Sequence, residues 1–245
     1  VLYRNIRKEM ELARMKADFV SNVSHELRTP LALIRMFAET IEMDRISSDD
    51  EKKEYCKIIA HESERLTHII NNILDFSKMD AGKKEYHFQQ VDLNKVVAEI
   101  LKMYKYHLDS KGFTLEENIN PQKLLINADR GAISEVLVNL LDNAVKYSDV
   151  RKQITIATGS ENQHVFLEIV DSGIGISAKD QKRIYQKFYR VAGDHKKPVK
   201  GSGLGLTLVR HIMDAHGGRI VLKSKPGEGS RFRLIFNKAS EEHTS

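Results

Sequence analysis

A histidine and a glutamate stand side by side, as His25 and Glu26, in a segment whose apolar spacing predicts a helix. His25 is one position away from the row of apolar and small residues, so we expect its ring to face outward at a bundle edge. An imidazole held on a rigid helix beside a carboxylate can act as a nucleophile, because the carboxylate can accept the proton of the second ring nitrogen. A lone histidine is more often structural, so this interpretation needs an electrophile elsewhere in the chain.

Two glycine-containing clusters in the second half of the chain could bind a phosphorylated ligand. Asp171, Gly173 and Gly175 follow a predicted strand, where glycines permit a tight turn and the carboxylate can accept a hydrogen bond from an exocyclic amine. The glycine-rich run 201–206 leads into a predicted helix, whose free N–H groups suit phosphates. Either cluster alone could be an ordinary turn or loop.

A third cluster lies on a predicted helix over residues 129–147. Asn139, Asn143 and Lys146 are spaced i, i+4 and i+7, so they lie near one helical face. Carboxamide oxygens and a lysine there could hold Mg²⁺ and phosphate oxygens, although asparagines on a helix are often only a solvated face. The order of the three clusters along the chain is much harder to explain by chance than any one of them.

The elements that carry His25 are two long helices within the first 80 residues. Apolar and small residues recur in alternating steps of four and three, which is a heptad pattern. The polar run 47–50 interrupts it and offers N-cap residues to a second helix with a similar pattern. Because such a hairpin cannot bury its apolar stripes alone, we expect a homodimer through residues 1–80 that forms an antiparallel four-helix bundle.

The rest of the chain alternates short strands with helices, which predicts an α+β sandwich with a sheet covered on one face. The predicted helices are 92–111, 129–147 and 204–216. The predicted strands are 85–91, 113–118, 124–128, 153–158, 164–171, 219–223 and 230–236. We therefore divide the chain into a helical domain (1–82), a linker (83–90), an α+β domain (91–238) and a polar tail (239–245).

Composition narrows the class of protein. With 41% hydrophobic and 30% charged residues over 245 positions, the chain is expected to be globular, and no segment approaches the roughly 18 apolar residues of a membrane span. The single cysteine, Cys56, excludes a disulfide framework and a multi-cysteine metal site. A net charge of +5 is mild and favours a solvated basic surface over a site for an acidic partner or a membrane surface. Since the chain begins with Val1, we expect it to be part of a longer protein.

Together these motifs make the chain resemble the catalytic core of a sensor histidine kinase of two-component signalling. The segments similar to that family's H, N, G1, F and G2 boxes are 19–30, 139–147, 171–176, 184–190 and 201–206. One departure is Tyr185, where the F box more often has phenylalanine. The resemblance covers nearly the whole chain. It implies a HisKA-type dimerisation and phosphoacceptor domain, followed by the ATP-binding domain shared with the gyrase, Hsp90 and MutL ATPases.

The resemblance implies ATP and Mg²⁺ as ligands of the second domain. Asn139 would be the main Mg²⁺ ligand, Asn143 and Lys146 would lie along the phosphates, and Tyr147 would pack near the adenine and ribose. Asp171 would accept a hydrogen bond from the adenine N6 amino group. The other implied nucleotide-binding residues are Gly173, Gly175, Arg190, Gly201, Gly203, Leu204 and Gly205, with 191–200 as a lid.

In the first domain the resemblance implies that ATP phosphorylates His25, with Glu26 as proton acceptor. The phosphoryl group would pass to an aspartate of a response regulator, and Thr29 would orient a water that dephosphorylates this partner. Pro30 removes one helical hydrogen bond just past His25, which makes it either a hinge or a tolerated kink. The role of Glu135 stays open.

Two other classes of function remain. A dimeric scaffold without turnover would keep this fold, but the intact motif residues weigh against it. A chaperone or DNA-repair ATPase would lack the heptad-patterned hairpin. We expect the chain to be the cytoplasmic portion of a bacterial inner-membrane sensor with no nucleic-acid ligand. Its sequence does not indicate the stimulus, the regulator, or whether ATP phosphorylates the same or the partner protomer.

Overall fold

A computed structural model describes residues 2–44, 46, 48–148, 151–191 and 203–239, which form two compact units. The first unit comprises the described residues up to 84, with the short segments 187–190 and 203–204. The second comprises 85–186, residue 191 and 205–239. Among the helices described, none is long and apolar enough to cross a membrane.

The first unit is the predicted helical hairpin. Helix α1 (Leu2–Glu42) continues through Pro30, and helix α2 (Asp49–Asp80) packs against it. The Ser48 side chain caps α2 by accepting a hydrogen bond from the Glu51 N–H at 3.2 Å.

A glycine follows the end of α2. Gly82 has a φ of 65°, the left-handed conformation that glycine adopts without a Cβ penalty. In this turn the Lys83 N–H donates to the Lys78 carbonyl at 2.8 Å, which satisfies one of the last free carbonyls of the helix.

The hairpin leaves much of its apolar stripe uncovered in a single chain. The side chains of the α1 heptad positions that stay exposed include Ile6, Met10, Val20 and Leu31, with 47% to 67% of their surface accessible. Rings within the first unit do cluster, since Phe188 lies 4.6 Å from Phe19 and 5.4 Å from Phe76 between centroids. Two helices alone therefore bury only part of the apolar surface, as the heptad pattern predicts.

The second unit contains seven strands and four helices among its described residues. In chain order these are β1 (Gln89–Asp92), α3 (Leu93–Ser110), β2 (Thr114–Asn118), β3 (Leu125–Ala128), α4 (Arg130–Tyr147), β4 (Gln153–Glu161), β5 (His164–Asp171), α5 (Ala178–Gln181), α6 (Gly205–Ala215), β6 (Arg219–Lys225) and β7 (Gly229–Asn237). Aspartates cap two of the helices: Asp92 accepts from the Asn94 N–H at 3.2 Å and Asp129 from the Ala132 N–H at 3.0 Å.

Five of these strands form one sheet in the order β2-β4-β5-β7-β6. Alternate residues of β5 are buried, and α3, α4 and α6 supply the apolar side chains of the core, which confirms a sheet covered on one face.

Strand β2 pairs parallel with β4, and β3 pairs antiparallel with β1. The strand predicted over 85–91 is shorter in the structure, where β1 begins at Gln89 and the residues before it pack differently.

Those residues, Tyr86 to Phe88, are held by side chains of the second unit. The His87 N–H donates to Asp129 Oδ2 at 2.9 Å, and the rings of Tyr86 and Phe88 lie 5.2 and 4.7 Å from the His216 ring. Just before them, Lys84 Nζ forms a half-buried ion pair with Asp75 of α2, at 2.7 Å, within the first unit. The predicted linker is thus anchored at both ends.

Candidate active site

His25 is exposed on α1, as its position beside the heptad row predicts. Its neighbour Glu26 is half-buried. The Thr29 hydroxyl donates to the His25 carbonyl at 3.2 Å, one helical turn back. The three predicted residues of the phosphoacceptor site therefore lie within one turn of a continuous helix, where the imidazole is open to an incoming electrophile.

Asp171 ends β5 with only 9% of its surface exposed. Its Oδ1 accepts hydrogen bonds from the N–H groups of Gly173 at 2.8 Å and Ser230 at 3.3 Å. Burial raises the pKa of Asp171 above its ordinary value, and these two N–H groups oppose that rise. The carboxylate is held in one orientation, as a ligand-binding acceptor needs to be.

The turn after Asp171 requires glycine at two positions. A Cβ on Gly173 would lie 2.5 Å from the Tyr147 carbonyl oxygen. Gly175 has a φ of 68°, and a Cβ there would lie 1.9 Å from the Lys225 carbonyl oxygen. Any side chain would push this turn away from the elements that support it.

Helix α4 presents the predicted phosphate and metal residues. Asn139 is buried and its Nδ2 donates to the Glu135 carbonyl at 2.9 Å, which directs Oδ1 away from its own helix backbone. A Cβ on Gly205 would lie 2.9 Å from that Oδ1 and 3.9 Å from Asn143 Nδ2, so the start of α6 approaches α4 closely. The absence of a side chain at Gly205 keeps these two carboxamides accessible.

The Asn143 side chain fits an anionic ligand. Its Nδ2 is buried and has no hydrogen-bond partner among the described residues. A buried amide donor normally has an acceptor, and a phosphate oxygen would supply one. One helical turn on, Lys146 Nζ lies 5.4 Å from the Tyr147 ring centroid, so its ammonium belongs to the same end of α4.

Within the described part of the chain, no group of three or more His, Cys, Asp or Glu side chains could hold a metal. Mg²⁺ accepts few protein ligands and keeps phosphate and water oxygens, so a carboxamide such as that of Asn139 fits its needs.

The structure does not bring several of the predicted residues together with the site. Gly201 and the lid residues 192–200 lie outside the described residues. Gly203 and Leu204 are described in the first unit, where a Cβ on Gly203 would lie 3.2 Å from Arg190 Cγ. These contacts neither add to nor remove the predicted nucleotide roles of the three residues.

Tyr185, the departure in the F box, is half-buried. Burial raises the pKa of its phenol to about 12, and the Arg210 guanidinium lies 5.8 Å from the ring centroid. The hydroxyl makes no hydrogen bond to any described residue.

Sequence reasoning missed Ser230, whose N–H holds Asp171. The two residues are 59 positions apart and meet only because β5 and β7 pair with Asp171 opposite Ser230. A backbone donor leaves no signal in residue type, so only the strand register could have identified it.

Comparison with known families matches both units. Residues 15–82 match the His Kinase A (phospho-acceptor) domain, and residues 128–240 match the histidine kinase-, DNA gyrase B- and HSP90-like ATPase domain.

The chain is also similar to named sensor proteins. It is 34% identical over 240 residues to drug sensory protein A of Synechocystis sp., covering 94% of this chain and 36% of that protein. It is 32% identical over 238 residues to the sensor protein SrrB of Staphylococcus aureus, covering 97% of this chain and 41% of that protein. The chain thus spans well under half the length of these two relatives.

Among solved structures, the histidine kinase ThkA in complex with the response regulator TrrA has a similar fold. The TM-score is 0.60 at 24% identity, covering 98% of this chain and 67% of that chain.

Proposed function

Since this chain belongs to the sensor histidine kinases of two-component signalling, as their catalytic core, we propose that it transfers the γ-phosphoryl group of ATP to His25. The observation that carries this proposal is that the same chain contains an exposed histidine beside a glutamate on a helix, His25 and Glu26, and a buried carboxylate and carboxamide, Asp171 and Asn139. The first can supply a nucleophile and the second a nucleotide site, whereas either alone would serve a scaffold or a simple ATPase.

In the proposed site, Asp171 accepts a hydrogen bond from the adenine N6 amino group, and Asn143 Nδ2 and Lys146 donate to the phosphates. Asn139 Oδ1 is the protein ligand of Mg²⁺, which would neutralise charge on the phosphate oxygens. By the family resemblance, Arg190, Gly201, Gly203, Leu204 and Gly205 would also bind the nucleotide. Gly173 and Gly175 shape the adenine side, and Tyr147 packs near the base and ribose.

In the proposed reaction a ring nitrogen of His25 forms a bond to the γ-phosphorus of ATP. The bond from that phosphorus to the β–γ bridging oxygen breaks, and ADP leaves with its electron pair. Glu26 accepts the proton of the other ring nitrogen, so the phosphohistidine is left neutral at the ring. ATP as the phosphoryl donor would place this portion of the protein in the cytoplasm.

The test is labelling of the whole chain with γ-labelled ATP and Mg²⁺. We expect acid-labile, alkali-stable label in the wild type and only background label in His25→Gln. His61→Gln, which alters an exposed histidine of α2, is the matched control and should label as the wild type does. A wild type that binds ADP but takes up no label would instead identify a scaffold.

The proposed partners are a second copy of the chain and a response regulator. The exposed heptad residues of α1 and the His Kinase A match support a homodimer, and ThkA forms a complex with its regulator TrrA. The phosphoryl group of His25 would pass to an aspartate oxygen of the regulator, which frees the imidazole for another cycle.

We assign Thr29 to dephosphorylation of that regulator, where its hydroxyl would orient the attacking water. Thr29→Ala should label normally with ATP but dephosphorylate the phosphorylated regulator at least tenfold more slowly. Dephosphorylation at the wild-type rate would remove this role.

A further inference from the structure

The turn that follows Asp171 is held in part by residues outside every recognised motif. Its own backbone makes two bonds to neighbouring elements: the Ile174 N–H donates to the Tyr147 carbonyl at 3.1 Å, and the Gly227 N–H donates to the Ile174 carbonyl at 2.7 Å. These bonds fix the middle of the turn. Its exit, at Ile176, is fixed by two side chains.

Ser224 of β6 holds the N–H of Ile176. Its Oγ accepts from that N–H at 2.7 Å and donates to the Gly229 carbonyl at 2.9 Å, across the β6–β7 turn. The serine therefore connects the exit of the Asp171 turn to the start of β7, where the Ser230 N–H donates to Asp171.

Gln181 at the end of α5 holds the carbonyl of Ile176. Its Nε2 donates to the Ile176 carbonyl and to the Ser224 carbonyl, both at 2.8 Å. Both partners are acceptors, so the amide nitrogen and not the amide oxygen must face them. Both amide hydrogens of Gln181 are used, and the N–H and the carbonyl of Ile176 are both hydrogen-bonded.

This arrangement has little tolerance for movement. The turn lies against β6 so closely that a Cβ on Gly175 would overlap the Lys225 carbonyl. If the exit of the turn moved away from β6, Gly173 would move with it, and its N–H is one of the two that orient the Asp171 carboxylate.

We infer that Gln181 and Ser224 are positioning residues for the adenine site, which set the affinity for ATP by fixing the Asp171 turn without touching the nucleotide. This inference rests on the proposed ATP-dependent function. Gln181 also leads directly into the F-box segment, so α5 is the element through which the adenine turn and that segment are connected along the chain.

The sharpest variant is Gln181→Glu, which keeps the side-chain shape but turns a double donor into a carboxylate facing two carbonyls. We expect the dissociation constant for ADP and the KM for ATP to rise about tenfold or more, because two hydrogen bonds are replaced by repulsion. The kcat for autophosphorylation at saturating ATP should stay within about twofold, since no group that touches the phosphates has changed. Gln181→Met, neutral and of similar length, should raise the same constants in the same direction.

The matched control is Gln163→Glu, the same charge change on an exposed side chain at the opposite end of β5. It should leave both constants unchanged. Equal ADP affinity in the wild type and both Gln181 variants would overturn the inference while leaving the kinase proposal intact. A wild type that binds no ADP would overturn both. A loss of kcat at unchanged KM would also contradict it, because that pattern belongs to a residue acting on the phosphoryl group.

Discussion

At the scale of single residues, His216 shows how one neutral imidazole can join three segments of a domain. Its Nδ1–H donates to the Ile212 carbonyl at 2.7 Å, and its Nε2 accepts from the Asp129 N–H at 3.0 Å. The second bond requires an unprotonated Nε2, so the ring is neutral in this arrangement. Burial lowers the pKa of His216, although the Ile212 carbonyl and the Asp129 carboxylate oppose this. These contacts give His216 a structural role.

The lowered pKa predicts a pH-dependent stability. As the pH falls from about 7.5 to about 5.5, the unfolded chain takes up the His216 proton before the folded chain does, so the free energy of unfolding decreases. His216→Gln should lower that free energy by about 1 kcal/mol at the higher pH through lost hydrogen bonds. It should also make the loss on acidification smaller than in the wild type.

Urea denaturation at both pH values measures these quantities. His61→Gln, on the exposed surface of α2, should keep the wild-type pH dependence. An unchanged pH dependence in His216→Gln would mean that this imidazole does not titrate differently in the folded and unfolded states.

Residue-level prediction from sequence succeeded where type and spacing carry the signal. The strand end at Asp171 and the tight turn through Gly173 and Gly175 are both present. Prediction from sequence did not identify Gln181 or Ser224, because a glutamine and a serine 43 positions apart form no recognisable pattern until the fold brings α5 and β6 together.

At the scale of elements, local chemistry determined where the helices begin and end. Capping side chains at Ser48, Asp92 and Asp129 lie at the predicted starts, and the observed bounds of α3, α4 and α6 differ from the predicted ones by at most one residue. Strand pairing was harder to predict from the sequence. The parallel β2–β4 pair joins residues that are 39 apart, such as Thr114 and Gln153, and no short-range rule selects that partner.

The contribution of the Ser48 cap to the stability of α2 can be tested by substitution. Ser48→Ala removes the acceptor for the Glu51 N–H and should lower the free energy of unfolding by about 1 kcal/mol, whereas Ser48→Asp should retain it. The measurement is thermal or urea denaturation at one fixed protein concentration, since association of the hairpin would otherwise change the apparent stability. If alanine were as stable as serine, the hairpin loop would not depend on this cap.

At the scale of the whole molecule, His25 and Asp171, the proposed nucleophile and the proposed adenine acceptor, lie in different compact units. This division predicts that nucleotide binding and phosphorylation of His25 can be separated in fragments of the chain. Residues 85–238 alone should bind ADP with the affinity of the whole chain but take up no label from γ-labelled ATP.

Adding a fragment of residues 1–84 should restore labelling of His25 at a rate that rises with fragment concentration. At about 10 µM fragment the rate should be roughly 100-fold below that of the intact chain, because the tether supplies an effective concentration near the millimolar range. His25→Gln in the added fragment is the control. Label on residues 85–238 without the first fragment would place the phosphoacceptor elsewhere.

The two anchors of the linker leave only a short length of free chain between them. Lys84 is bound to Asp75 in one unit and His87 to Asp129 in the other, and only Glu85 and Tyr86 lie between them. Three peptide steps span at most about 10–11 Å. While both anchors hold, the linker can change its torsion angles but can release almost no additional length of chain. Releasing more chain requires that the Lys84–Asp75 ion pair breaks or that the Tyr86 ring leaves His216, so salt concentration and acidity can change the length of linker that is free.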